Sequence, residues 1–169
     1  ELKGEAEHTR ALFYLRDQFW LVLDNIITDR PRNLKFLWHW HPKCRVIQES
    51  INTRGVVDKK SLTIIPLSNA NFKISQVSGQ ENPNIQGWYS PEYNLYEPNF
   101  LTEYSVEIDK TESFLWLIIP ENNSQRQIKT NVLEVNSSGF DIEIFIDNES
   151  WIITIPLKSS LDVELVKKN

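Results

Sequence analysis

The sequence holds no methionine, one cysteine and only five glycines. A lone cysteine, Cys44, closes no internal disulfide. That fits a reducing compartment, or an exported bacterial protein that does without bridges. The thiol reads as a buried, inert one. No apolar run reaches the roughly 20 residues a helix needs to cross a bilayer, and no signal peptide opens the chain. It begins at Glu1 without an initiator methionine and reads as cut from inside a longer protein. A Gly-rich phosphate loop, a Cys-x-x-Cys pair and a Gly-x-Ser-x-Gly elbow are all missing. So is helical periodicity. The net charge of -5 argues against a nucleic-acid footprint or a broad polyanion-binding face, and neither nucleic acid nor membrane is expected as a partner. A local basic cluster, Arg30, Arg32, Lys35, Lys43 and Arg45, reads as a solvated loop and strand edge.

What the chain does have is β-forming aromatic residues: six Trp, eight Phe and five Tyr, within a composition that is 40% hydrophobic. Its 169 residues suit one domain over 1–169. Ala11 to Leu15 and Phe19 to Asp24 predict a hairpin around Arg16-Asp17-Gln18. Further strands are expected at Arg45 to Glu49, Val56-Val57, Leu62 to Leu67, Asn71 to Val77, Phe100 to Ile108 and Ser113 to Pro120. Gly55 reads as a turn. Phe114, Trp116 and Ile118 alternate with Leu115, Leu117 and Ile119, so that strand is expected to be buried on both faces. A closing meander follows, with strands at Ile128 to Val135, Phe140 to Ile146, Trp151 to Leu157 and Val163 to Val166, and turns at Ser137-Ser138-Gly139 and Asp147-Asn148-Glu149. Roughly a dozen short strands predict an all-β, antiparallel β-sandwich.

The stretch that organises the chain is Leu34 to Pro42, which carries two of the three histidines. On a strand, Phe36, Trp38 and Trp40 share one face, while Lys35, Leu37, His39 and His41 share the other. The aromatic face suits a core. His39-x-His41 has the spacing of two metal ligands, but a zinc centre needs a third, such as His8, Asp24 or a group outside this chain. Otherwise the two are partly exposed strand histidines. The segment Ser78 to Asn99 is Pro- and Gly-punctuated and aromatic. Long loops of this kind are usually functional or interfacial. Trp88, Tyr89, Tyr93 and Tyr96 either form a platform for sugar rings or anchor the loop onto the sandwich.

Four stretches then occur in order: His8-Thr9-Arg10-Ala11-Leu12-Phe13-Tyr14 running into Phe19-Trp20-Leu21-Val22-Leu23-Asp24; Leu37-Trp38-His39-Trp40-His41-Pro42; Gln86-Gly87-Trp88-Tyr89-Ser90-Pro91-Glu92-Tyr93; and Phe114-Leu115-Trp116-Leu117-Ile118-Ile119-Pro120. Together they resemble the C-terminal β-sandwich of the heparinase II/III-like polysaccharide lyases, a group that includes alginate-lyase relatives. The likeness runs to about Pro120, and beyond it the sequence is a generic β-meander. It implies a parent that cleaves uronate-containing, anionic polysaccharide by β-elimination, with an N-terminal α/α toroid as partner and a periplasmic or secreted location. The family's catalytic residues lie mainly on that toroid and on a His-x-His-x-Asp stretch early in the β-domain. This chain has neither, so no catalytic residue is expected in it. Trp88, Tyr89, Tyr93 and Arg10 are expected at the substrate or domain interface. A structural zinc in the parent could draw on His39 or His41.

Overall fold

The computed structural model describes residues 4–122, 125–136, 139–157 and 163–168. Fifteen strands, numbered in chain order, pair antiparallel throughout, and no helix occurs among the described residues. The largest sheet has six strands in the order β1 (Ala6–Leu15), β2 (Phe19–Thr28), β11 (Glu112–Asn122), β6 (Lys60–Pro66), β5 (Asn52–Val57), β4 (Arg45–Glu49). A three-stranded sheet runs β3 (Arg32–His39), β10 (Phe100–Ile108), β7 (Lys73–Ser78), and a four-stranded one runs β12 (Ile128–Val135), β13 (Gly139–Ile146), β14 (Glu149–Pro156), β15 (Glu164–Lys168). A two-residue pair, β8 (Trp88–Tyr89) and β9 (Glu97–Pro98), sits in the aromatic segment.

The alternation of side chains explains how the sheets stack. Leu115, Leu117 and Ile119 of β11, with Phe19, Leu21 and Leu23 of β2, pack against Phe140, Ile142, Ile144, Trp151 and Ile153 of the meander. On the opposite face, Phe114 and Trp116, with Val22 and Ile26, pack against Phe36, Tyr104 and Ile108 of the three-stranded sheet. The six-stranded sheet is therefore the middle layer of an all-β sandwich with a sheet on each side. The double-sided apolar pattern of β11 has this cause. The meander is one of the three layers, not an appendage.

Buried carboxylates tie the layers together. Glu121 on β11 accepts hydrogen bonds from Arg54 Nε (3.1 Å), Ser61 Oγ (2.7 Å), Thr63 Oγ1 (3.2 Å) and the Arg126 backbone N–H (2.8 Å). Arg126 then pairs through its guanidinium with Asp147 at 2.9 Å and with the Gln18 side chain at 3.0 Å. The link into the meander thus runs back to the first hairpin.

Gly55 is not a turn residue. It lies inside β5, and the ring of Trp40 occupies the space a Cβ would take. Here glycine marks a close approach within a strand, and the chain reverses instead at Ser50-Ile51, where Ser50 has φ 56°. The organising strand also ends earlier than its sequence pattern implies, at His39. Trp40 is nevertheless locked, its backbone N–H donating to the Phe100 carbonyl (2.9 Å) and its Nε1 to Thr102 Oγ1 (2.9 Å). Phe36 and Trp40 are buried, and Trp38 packs on the same cluster. The predicted turn at Ser137-Ser138 lies outside the described residues.

Candidate functional site

The three-stranded sheet has two unlike ends. At one end, the close of β3, the close of β7 and the start of β10 meet, as the pairing of His39 with Leu101 and of Ser78 with Phe100 requires. The aromatic segment projects from this end. Its base is rigid. The Asn99 side-chain amide, itself buried, donates to the Trp40 carbonyl at 2.7 Å, and the Gly79 and Asn99 backbone N–H groups both donate to the Gly87 carbonyl at 2.9 Å. Gly87, with φ 73° and the Asn99 carbonyl against it, has no room for a side chain. Trp88 is half-buried within the loop, donates from Nε1 to the Gln80 carbonyl (3.0 Å) and meets Tyr96 edge-on at 5.3 Å.

Beyond this base the segment turns apolar groups outward. Tyr93 is 96% exposed, and Ile85, Leu95 and Tyr96 are exposed as well. Trp88 therefore holds the loop together, but Tyr93 anchors nothing onto the sandwich. Tyr89 is exposed and lies 5.7 Å from the His41 ring. His41 sits past the end of β3 in a turn, where its carbonyl accepts from the Cys44 N–H and its Nδ1 from the Lys43 N–H. Cys44 is half-buried there, and burial pushes its thiol pKa up.

His8 and Asp24, the suggested third metal ligands, are engaged with each other. Asp24 is fully buried and accepts from Arg10 Nε (2.7 Å) and Nη2 (3.1 Å), from His8 at 2.6 Å and from Trp116 Nε1 (3.1 Å). Its oxygens are spent on four donors, which corrects its candidacy as a partner for His39 and His41. Among the described residues, no group of three or more His, Cys, Asp or Glu is placed to hold a metal ion. The described residues do not by themselves make a zinc centre.

Arg10 is thus placed by a carboxylate on the neighbouring strand. This pairing had a sequence signal. If the hairpin closes with Leu15 opposite Phe19, the register sets Arg10 opposite Asp24, as observed.

Fold and site together define an all-β sandwich module with one rigidly based aromatic end. The chain belongs to the heparinase II/III-like C-terminal domain family, whose model matches residues 2–133. The match extends past Pro120 into the meander, where the sequence alone looked generic. Among solved structures, the heparan sulfate lyase HepC from Pedobacter heparinus superposes with a TM-score of 0.77 at 15% identity, covering 93% of this chain and 25% of that one. A heparinase III, the BT4657 gene product, gives 0.71 at 12% identity, with 90% and 24% covered. A further heparinase III gives 0.67 at 14% identity, again with 90% and 24% covered. The chain spans about a quarter of the length of each. No curated protein matches the sequence.

Proposed function

We propose that this chain is the non-catalytic C-terminal β-sandwich of a polysaccharide lyase that cleaves uronate-containing glycans by β-elimination. Its aromatic end packs on the α/α toroid of the parent and helps to shape the substrate cleft. The observation that carries this reading is the contrast within 79–99, a hydrogen-bonded base carrying an outward apolar tip of Ile85, Tyr93, Leu95 and Tyr96. A rigid base lowers the entropy lost on docking, and an exposed apolar patch of this kind marks an interaction surface. Family membership and coverage of about a quarter of the matched lyases support the same reading. On this reading the parent works in the periplasm or outside the cell, and a zinc near His39 or His41 would need ligands from beyond the described residues.

The test is Tyr93→Asp with Tyr96→Asp, made in the parent polypeptide and in this chain. The isolated chain should keep its melting temperature. The parent should lose at least about tenfold in lyase rate as the interface takes up unpaired charge. Unchanged rate in the parent would overturn the docking role.

One observation favours a second reading, in which the same end binds glycan directly. The Tyr93 ring is free enough to stack on a sugar. Under that reading the chain alone retains glycans, and Tyr93→Ala abolishes the retention.

A further inference from the structure

Among the described residues, β1 is the least guarded sheet edge. An edge strand exposes unpaired backbone N–H and C=O groups, and folded proteins blunt it with brevity, lysine, proline or a bulge. The three larger sheets end on β1 and β4, β3 and β7, and β12 and β15. β4 and β15 are five residues long and β7 six. β15 carries Lys167 and Lys168, β7 carries Lys73, and β3 carries Arg32 and Lys35. β12 has Lys129 and a register break between Val132 and Glu134. β1 runs ten residues, pairs with β2 in unbroken register from Ala6 to Leu15, and holds no lysine, proline or glycine.

The two halves of β1 differ. Its charged side chains, Glu7 and Arg10, lie in 6–10, where His8 and Arg10 fold onto buried Asp24. The half from Ala11 to Leu15 is uncharged and apolar on both faces. Phe13 and Leu15 pack on the core shared with the meander. Leu12 and Tyr14 turn to the other face, where the three-stranded layer stops at β3 and leaves them 69% and 49% exposed. Tyr14 is fixed by stacking on Trp20, with centroids 4.9 Å and planes 15° apart. A cleft of about 640 Å³ separates this face from β3, and its cations are already paired. Asp24 holds Arg10, Asp29 holds Arg30 and Arg32, and Glu103 holds Lys35. What β1 offers a partner is therefore backbone pairing and apolar packing, not charge.

We propose that an extended segment of the parent polypeptide, from outside this chain, adds to β1 as a further strand of the middle sheet. Its chemistry follows from the two halves: apolar on both faces opposite Ala11–Leu15, polar opposite Ala6–Arg10. Every second residue of β1 aims its N–H and C=O away from β2, and strand addition uses those groups for affinity and the side-chain rows for register. This chain covers 25% of one matched lyase and 24% of another, so a parent of that length has chain to supply the strand. A second copy suits the edge less. Antiparallel two-fold pairing over the full strand lays the apolar half of one β1 on the polar half of the other, and matching the apolar halves shortens the ladder to 11–15. The inference rests on reading the chain as part of a longer lyase, and not on the docking of the aromatic segment.

The test is hydrogen–deuterium exchange of β1, measured in the parent polypeptide and in this chain alone at two concentrations. The β1 amides directed away from β2 should exchange at least about a hundredfold more slowly in the parent than in the chain. Leu12→Lys changes an exposed side chain and should leave the melting temperature of the chain unaltered. In the parent it should cut the β1 protection at least about tenfold, because the charge lies under the added strand. Tyr93→Asp with Tyr96→Asp should leave that protection unchanged, so failure of the aromatic docking and failure of the strand addition are read separately. The proposal is overturned by equal exchange in parent and chain, by protection that Leu12→Lys leaves intact, or by protection lost in the double tyrosine variant. Protection in the chain alone that rises with concentration would also overturn it, making a second copy the occupant.

Discussion

Arg10 on β1 and Asp24 on β2 stand directly opposite one another, and the guanidinium grips a fully buried carboxylate with Nε at 2.7 Å and Nη2 at 3.1 Å. The carboxylate is also tied to Trp116 in the strand on its other side. The pair therefore joins β1 and β2 to the centre of the middle sheet.

Removing the carboxylate leaves Arg10, His8 and the buried indole N–H without their acceptor. Asp24→Ala should destabilise the chain by about 1–3 kcal/mol, chiefly because the buried Trp116 indole N–H loses its acceptor while half-exposed Arg10 turns to water. Arg10→Ala should cost at least as much, about 3 kcal/mol, because it strands the fully buried Asp24 carboxylate with only His8 and Trp116 as donors. Urea unfolding of the two variants checks the order.

Gly55→Ala places a methyl group in the ring of Trp40. In an ordinary strand this substitution is mild or favourable. Here it should cost about 1–3 kcal/mol by overpacking and shift the tryptophan emission. A Gly55→Ala variant as stable as the parent sequence would show that the contact yields without strain.

Burial pushes the Tyr104 phenol up to about 12, against a weaker opposing effect of its hydrogen bond with Thr53. The fold thus holds the proton more tightly than the unfolded chain, whose reference value is 10.0. The resulting stability is fully present below pH 10 and is lost as pH rises from 10 through about 12. Urea unfolding at a series of alkaline pH values should show this decline. Tyr104→Phe should flatten it, while costing about 1–2 kcal/mol at neutral pH because Thr53 and the Ile51 carbonyl lose their partner.

Much of the fold was legible because strand alternation is a local signal. β11 announced two buried faces, and Phe140, Ile142, Ile144 and Ile146 announced one. What alternation does not encode is which sheet covers which face. The three-layer stacking therefore appears only once Leu115 is seen to meet the meander and Phe114 the β3 layer. Gly55 misled because its turn signature is identical to that of a strand glycine cleared for a distant ring. The site was half legible. Composition marked the aromatic segment, and the motif marked Arg10. The charge cluster dispersed along the sequence gave no sign that Arg30, Arg32 and Lys35 share a cleft with β1, since that proximity depends on two edge strands from different sheets.

The central claim is that this chain serves a lyase without performing its chemistry. The most direct measurement follows formation of unsaturated product when the purified chain alone is incubated with uronate-containing polysaccharides, alongside the parent polypeptide. The account predicts product from the parent and none from the chain. Steady turnover by the chain alone would contradict it.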